Sequence, residues 1–105
     1  MPQFSVYRNK NTATRTRFPF LLDIQSDLLD PLATRVVVPL TPAGTTRKRS
    51  MQTLMPTIRV EEKDYLMVTP QLAGVAAREL GPVVADASAN RQVIISALDF
   101  LISGI

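Results

Sequence analysis

The stretch RQVIISALDFLISGI constrains the fold most, because residues 93–105 carry one charged side chain, Asp99, within an otherwise helical apolar pattern. Placing successive residues about 100° apart round a helix puts Ile94, Leu98, Leu101 and Ile105 on one stripe. Ile95 and Ile102 flank it on one side, and Val93, Ala97 and Phe100 on the other. Gln92, Ser96, Asp99 and Ser103 share a polar ridge. A surface helix needs an apolar arc of little more than ~100°, whereas this one covers roughly two thirds of the circumference. The excess predicts a second packed surface, most simply the seam of a homodimer.

A single domain is expected over residues 1–105, and a chain this short buries a modest core that oligomerisation would reinforce. Residues are 46% hydrophobic and 20% charged, as in a folded soluble protein, and no apolar run approaches the ~20 residues of a membrane span. MPQFSVYRNK lacks a basic start followed by a long apolar segment, so no signal peptide is read and a cytoplasmic protein is expected. Cysteine and histidine are both absent, which removes disulfides, thiolate nucleophiles and Ser-His-Asp or Cys-His relays. Catalysis would have to rest on Asp, Glu, Lys, Arg or Tyr. The net charge of +3 suits an acidic partner, either nucleic acid or an acidic polypeptide.

Along the chain, the residues around Phe4 and Val6 read as a short alternating strand, and NKNTATRTR as a loop. FPFLLDIQ forms a second strand that breaks at SDLLDP, and RVVVPL a third, in which Pro39 marks an edge or the strand's end. Residues 41–56, with the basic triplet Arg47, Lys48 and Arg49, read as a long mobile loop. TIRVEEKDYLMVT reads as a hairpin turning at EEKD. Pro70, Gly74, Gly81 and Pro82 divide the next segment into short strands. Ser88 is the expected N-cap of the terminal helix, with Asp86 adding negative charge near its start. Strands followed by one helix give a mainly β fold, a small barrel or pair of sheets carrying a C-terminal α-helix.

Asp23, Asp27 and Asp30 lack the glycine and terminal glutamate of a calcium loop, so turn and cap roles are expected and no metal. Arg8, Lys10, Arg15 and Arg17, together with Arg47, Lys48 and Arg49, are either solvated loop charges or a site for an acidic partner. No phosphate-cradling glycine loop and no base-stacking aromatic motif is present, and no cofactor is expected.

QFSVYRNK, DIQSDLLD, RVVVPL, the paired PTIRV and YLMVT, and VADASANRQVIISALDFLISGI resemble, in order and spacing, the CcdB family of gyrase-poisoning toxins. The resemblance spans almost the whole chain. It implies an SH3-like β-barrel with a C-terminal helix, assembled as a dimer, that binds the DNA gyrase A subunit, trapping the enzyme on cleaved DNA without catalysing a reaction. The family's poisoning surface maps onto Ser103, Gly104, Ile105, Asp99, Leu28 and Leu29. Two positions depart from the familiar pattern. Ser103 stands where a tryptophan could stack on a gyrase arginine, and Asp99 replaces an asparagine.

The resemblance also implies a cognate antitoxin whose acidic, disordered C-terminal segment folds onto the toxin and whose DNA-binding domain brings the pair to their operator. Arg8, Lys10, Arg15, Arg17, Arg47, Lys48 and Arg49 are the expected antitoxin contacts. Two other readings stand beside gyrase poisoning: a homologue that binds only antitoxin in transcriptional autoregulation, and an endoribonuclease toxin of related barrel architecture.

Overall fold

A computed structural model describes residues 2–44 and 51–104. Seven strands lie among them: β1 (Ser5–Asn9), β2 (Phe20–Asp23), β3 (Thr34–Pro42), β4 (Thr57–Val60), β5 (Lys63–Met67), β6 (Ala73–Ala76) and β7 (Leu80–Asp86). One α-helix, α1 (Arg91–Ser103), follows. The strand pairings among the described residues are antiparallel, in the order β4-β5-β3-β2-β1-β7 with β6 also on β3. The sheet curls into a half-barrel with α1 against its concave side, the mainly β fold expected from the sequence. No helix among the described residues is long and apolar enough to cross a membrane.

Alternation along the strands separates two apolar layers. Val6, Phe20, Leu22, Val38, Leu40, Ile58, Val60 and Met67 point inward and meet Ile94 and Ala97 of α1. Full burial of a side chain such as Ile94 contributes roughly 1.5–3 kcal/mol. On the opposite face Tyr7, Leu21, Val37 and Leu80 form a smaller cluster. Asp23 and Arg35 share that face by register, since each lies two residues from a cluster member on its own strand.

Pro39 neither ends β3 nor lies on an open edge. It pairs with Leu21 inside the strand and is buried. Ile24 N–H donates to Val36 O, so Val36, Val38 and Leu40 direct their backbone groups toward β2, and Pro39 faces the other way. On that other side β6 covers residues 34–37 and β5 covers 40–42. The missing N–H therefore falls where one partner strand has stopped and the next begins, while Pro39 O still accepts Val68 N–H at 3.0 Å.

The expected hairpin is present, but its turn is shorter than EEKD. Lys63 pairs with Val60 and Asp64 with Arg59, leaving Glu61 and Glu62 as a two-residue turn with φ of 50° and 68°. Both values belong to the primed turn that matches strand twist, adopted here without glycine. Arg59 Nη2 holds it by donating to Glu62 O at 2.9 Å. Of the expected loop over 41–56, Thr41 and Pro42 belong to β3. Arg47, Lys48 and Arg49 lie outside the described residues.

Ser88 does not cap the helix with its side chain. Residues Ser88–Asn90 form a 3-10 turn that leads into α1, and the Asp86 carboxylate accepts the Ser88 N–H at 2.8 Å. The shorter-range acceptor two residues earlier takes the capping role. Gly104 closes the helix at φ 74°, its N–H donating to Phe100 O at 2.8 Å, the left-handed position that glycine fills most easily.

The apolar stripe of the helix also needs correction. Ile94 and Ala97 are buried and Ile95 and Leu98 pack against the core, but Leu101 is 37% exposed and Ile102 84%. Beyond Leu98 only Phe100 is half-buried among the described residues, and its neighbours are exposed. The first turns of α1 rest on the sheet and the last turn overhangs it, which no helical wheel reveals.

Candidate functional site

Two exposed structures carry the residues expected at the target surface. The first is the β2–β3 connection, where Asp27–Leu29 makes one 3-10 turn. The Ser26 hydroxyl accepts the Leu28 N–H at 3.2 Å, and Leu32 N–H reaches Leu29 O. The turn leaves Leu28 90% exposed, Leu29 49% and Leu32 52%. Large apolar side chains this exposed and this close in sequence mark an interaction surface more often than scattered ones do.

A buried polar network holds that turn. Asp23 and Arg35 are both fully buried, joined from Arg35 Nε at 2.9 Å and Nη2 at 2.8 Å to Asp23 Oδ2. Arg35 Nη1 reaches the half-exposed Asp30 Oδ1 at 3.1 Å, tying the far end of the turn to β3. Gln25 completes the frame: its N–H donates to Asp23 Oδ1, its Nε2 to Leu29 O at 3.0 Å, and its Oε1 accepts the Val36 N–H. Asp27 Oδ1 accepts the Gln3 N–H at 2.7 Å. The three aspartates thus take turn and ion-pair roles, Asp23 and Asp30 sharing Arg35 while Asp27 serves Gln3. Burial raises the Asp23 carboxyl above its ordinary range, opposed by the Gln25 N–H and the Arg35 guanidinium. Nearby, burial also raises the Tyr7 phenol, opposed by a hydrogen bond with Ser5.

The second structure is the overhanging end of α1. Asp99, Ser103 and Gly104 are exposed there, and Ser103 Oγ donates to Asp99 O at 2.7 Å. That back-bond occupies the serine hydroxyl on its own helix. Ile105 lies outside the described residues. Leu28 and Leu29 are adjacent on one turn, and Asp99 and Ser103 lie one helical turn apart, but the two groups belong to separate elements.

Of the basic residues expected at an antitoxin surface, the described ones, Arg8, Lys10, Arg15 and Arg17, lie in or beside the β1–β2 loop. Arg8 and Arg15 line one cleft with Asn9, and Lys10 lines another with Asn11, Thr12, Arg78 and Glu79. Arg8 lies 3.9 Å from Glu61 and over the Phe20 ring, and Arg17 stacks on Phe18 with its guanidinium carbon 5.0 Å from the ring centre. Sequence reasoning missed Arg78, Gln25 and Arg35. The arginine at the head of the apolar run RVVVPL was the available signal for Arg35, since a charge entering a buried strand needs a partner.

A curled antiparallel sheet with one packed helix, an exposed apolar turn and a projecting helix end defines a small β-half-barrel protein built around its surfaces. A family model described as CcdB protein matches residues 3–104, and the chain belongs to the CcdB family. Among solved structures it is similar to one described as an endoribonuclease in complex with its cognate antitoxin from mycobacterial species. That match has a TM-score of 0.76 and 17% identity, covering 97% of this chain and 94% of that one. At this identity the likeness shows a shared fold. Family and fold together support the toxin class of toxin–antitoxin modules.

Proposed function

We propose that the protein is the toxin of a toxin–antitoxin module that acts in the cytoplasm as a homodimer and binds the DNA gyrase A subunit, trapping the gyrase–cleaved DNA complex without catalysing a reaction. The observation that carries this reading is the exposed Leu28–Leu29 turn held on a buried ionic frame. Exposing apolar side chains on a rigid mount lowers the ordering entropy of binding. Asp99, Ser103, Gly104 and Ile105 supply the second contact, and the exposed Ile102 suits a dimer seam. A cognate antitoxin neutralises the toxin, and the complex represses its own operator through the antitoxin's DNA-binding domain.

The test is a cleavage assay with purified gyrase, comparing wild type, Ser103→Trp and a variant lacking Gly104 and Ile105. Cleaved complexes are expected with wild type, increased by the tryptophan and lost on truncation. A folded truncated protein that traps gyrase fully would remove the helix end from the mechanism. Trapping only by Ser103→Trp would favour a homologue confined to antitoxin binding and autoregulation.

The fold neighbour described as an endoribonuclease favours a second reading, RNA cleavage. Transition-state charge would need exposed cationic and acid–base groups, and the Arg35–Asp23 pair is fully buried, out of reach of a phosphodiester. Incubation of the pure protein with RNA decides between the two.

A further inference from the structure

The face of the sheet opposite α1 carries a recess of about 170 Å³. Its floor is apolar, built from Phe18, Leu21, Val37, Pro39, Ala73 and Val75. A volume near the ~150 Å³ that accommodates benzene in an apolar cavity fits a side chain of leucine or phenylalanine size. Asn9, Asn11, Thr14, Gln71 and Glu79 form the rim.

Two charged clefts adjoin this recess. Asn9 also lines the cleft of Arg8 and Arg15, and Asn11 and Glu79 also line the cleft of Lys10 and Arg78. The surface therefore runs cationic, apolar, cationic across shared walls. The walls are preorganised. Asn9 Nδ2 donates to Thr14 Oγ1 at 3.0 Å and Phe18 O at 2.9 Å, and Asn9 Oδ1 accepts the Asn11 N–H at 2.9 Å.

The geometry points to a docking surface for an acidic peptide that inserts one apolar side chain into the recess while carboxylates on both sides of it meet Arg8 and Arg15, and Lys10 and Arg78. The complementary sequence pattern is acidic, apolar, acidic. Charge complementarity selects the flanks and the apolar floor selects the anchor. A nucleic acid fits less well, because the Phe18 ring is buried in the floor and covered by Arg17, leaving no exposed aromatic face in the recess for a base to stack on. The proposal rests on the antitoxin reading only for the identity of the peptide's owner, and none of the lining residues belongs to the Leu28–Leu29 turn or the helix end.

The probe is a fluorescein-labelled synthetic peptide with one leucine between two short runs of glutamate, titrated by anisotropy against the full chain. Replacing its leucine by serine is expected to weaken binding about tenfold or more. Ala73→Trp, which fills the recess from an exposed position on β6, should produce a similar loss at low and high salt. Lys10→Glu with Arg78→Glu should weaken binding about tenfold at low ionic strength and much less near 1 M salt, where screening is about 3 Å in range. Unchanged affinity in a folded Ala73→Trp protein, as judged by circular dichroism, overturns the proposal. So does a thymidine oligonucleotide that displaces the peptide while the leucine proves immaterial. The gyrase assay on Ala73→Trp separates the readings: retained trapping with lost peptide binding supports the recess, and peptide binding that follows these substitutions in a protein without trapping supports it while removing the toxin reading alone.

Discussion

Replacing Arg35 by methionine tests the ionic frame under the Leu28–Leu29 turn. The substitution leaves the Asp23 carboxylate fully buried with the Gln25 N–H as its donor. Removing one member of a buried pair destabilises by about 3–5 kcal/mol. At about 4–8 °C per kcal/mol for a domain of this size, Arg35→Met should lower Tm by at least about 12 °C. Asp23→Leu should be milder, near 3 kcal/mol, because Arg35 retains the half-exposed Asp30 at 3.1 Å. The double variant carries neither charge, and its residual loss is the Gln25 N–H without an acceptor, about 1–3 kcal/mol. It should therefore be about 2 kcal/mol more stable than Arg35→Met alone. Urea unfolding followed by circular dichroism at one fixed protein concentration measures all three. A double variant less stable than Arg35→Met would refute the reasoning, since it would mean that the pair is not the dominant interaction of either side chain.

Leu28→Ser should leave stability within about 0.5 kcal/mol of wild type, because the side chain is 90% exposed, yet abolish gyrase trapping; full trapping would exclude the turn from the target surface. The raised Tyr7 phenol holds its proton in the native state after the unfolded chain has released it at about 10.0, so stability should fall as pH rises from there through the folded value. Tyr7→Phe should lack that alkaline loss in parallel unfolding experiments. Gly81→Ala would place a Cβ 2.8 Å from the Arg8 backbone oxygen, forcing β1 and β7 apart. A loss of about 1–3 kcal/mol in thermal unfolding is expected, and an unchanged Tm would contradict the close approach.

Much of the strand order was readable because each element announces itself locally. Phe20 and Leu22, the run Val36–Val38 and the pair Ile58 and Val60 have strand-like spacing bounded by proline or polar turns. The hidden features depend on distant partners. Pro39 reads as a strand terminus until β6 and β5 are seen to divide that side of β3 between them. Asp23 and Arg35 are twelve residues apart, and only the β2–β3 register, with Asp23 opposite Val37, brings them together. Leu101 looks like a core residue because helical periodicity cannot say where the supporting sheet stops. The site was legible unevenly for the same reason. Leu28 and Leu29 came from family resemblance, whereas the recess behind the β1–β2 loop draws its walls from three distant stretches of chain, 9–21, 37–39 and 71–79, and leaves no local pattern.

The pairing of β1 with β7 also bears on when the molecule comes into being. Tyr7 lies opposite Val83, and the inner layer is completed only by Ile94 and Ala97. Translation at about 5–20 residues per second separates synthesis of Tyr7 from that of Val83 by about 4–15 s. During that interval β2 to β6 can pair as they emerge, but β1 has one neighbour instead of two and the inner layer lacks α1. The ionic mount is encoded early, by residues 23–35, but the sheet that shields it is assembled from strands made much later. A nascent chain therefore carries the Leu28–Leu29 turn before the fold behind it is complete, and the structure closes in one late step as β7 and α1 dock.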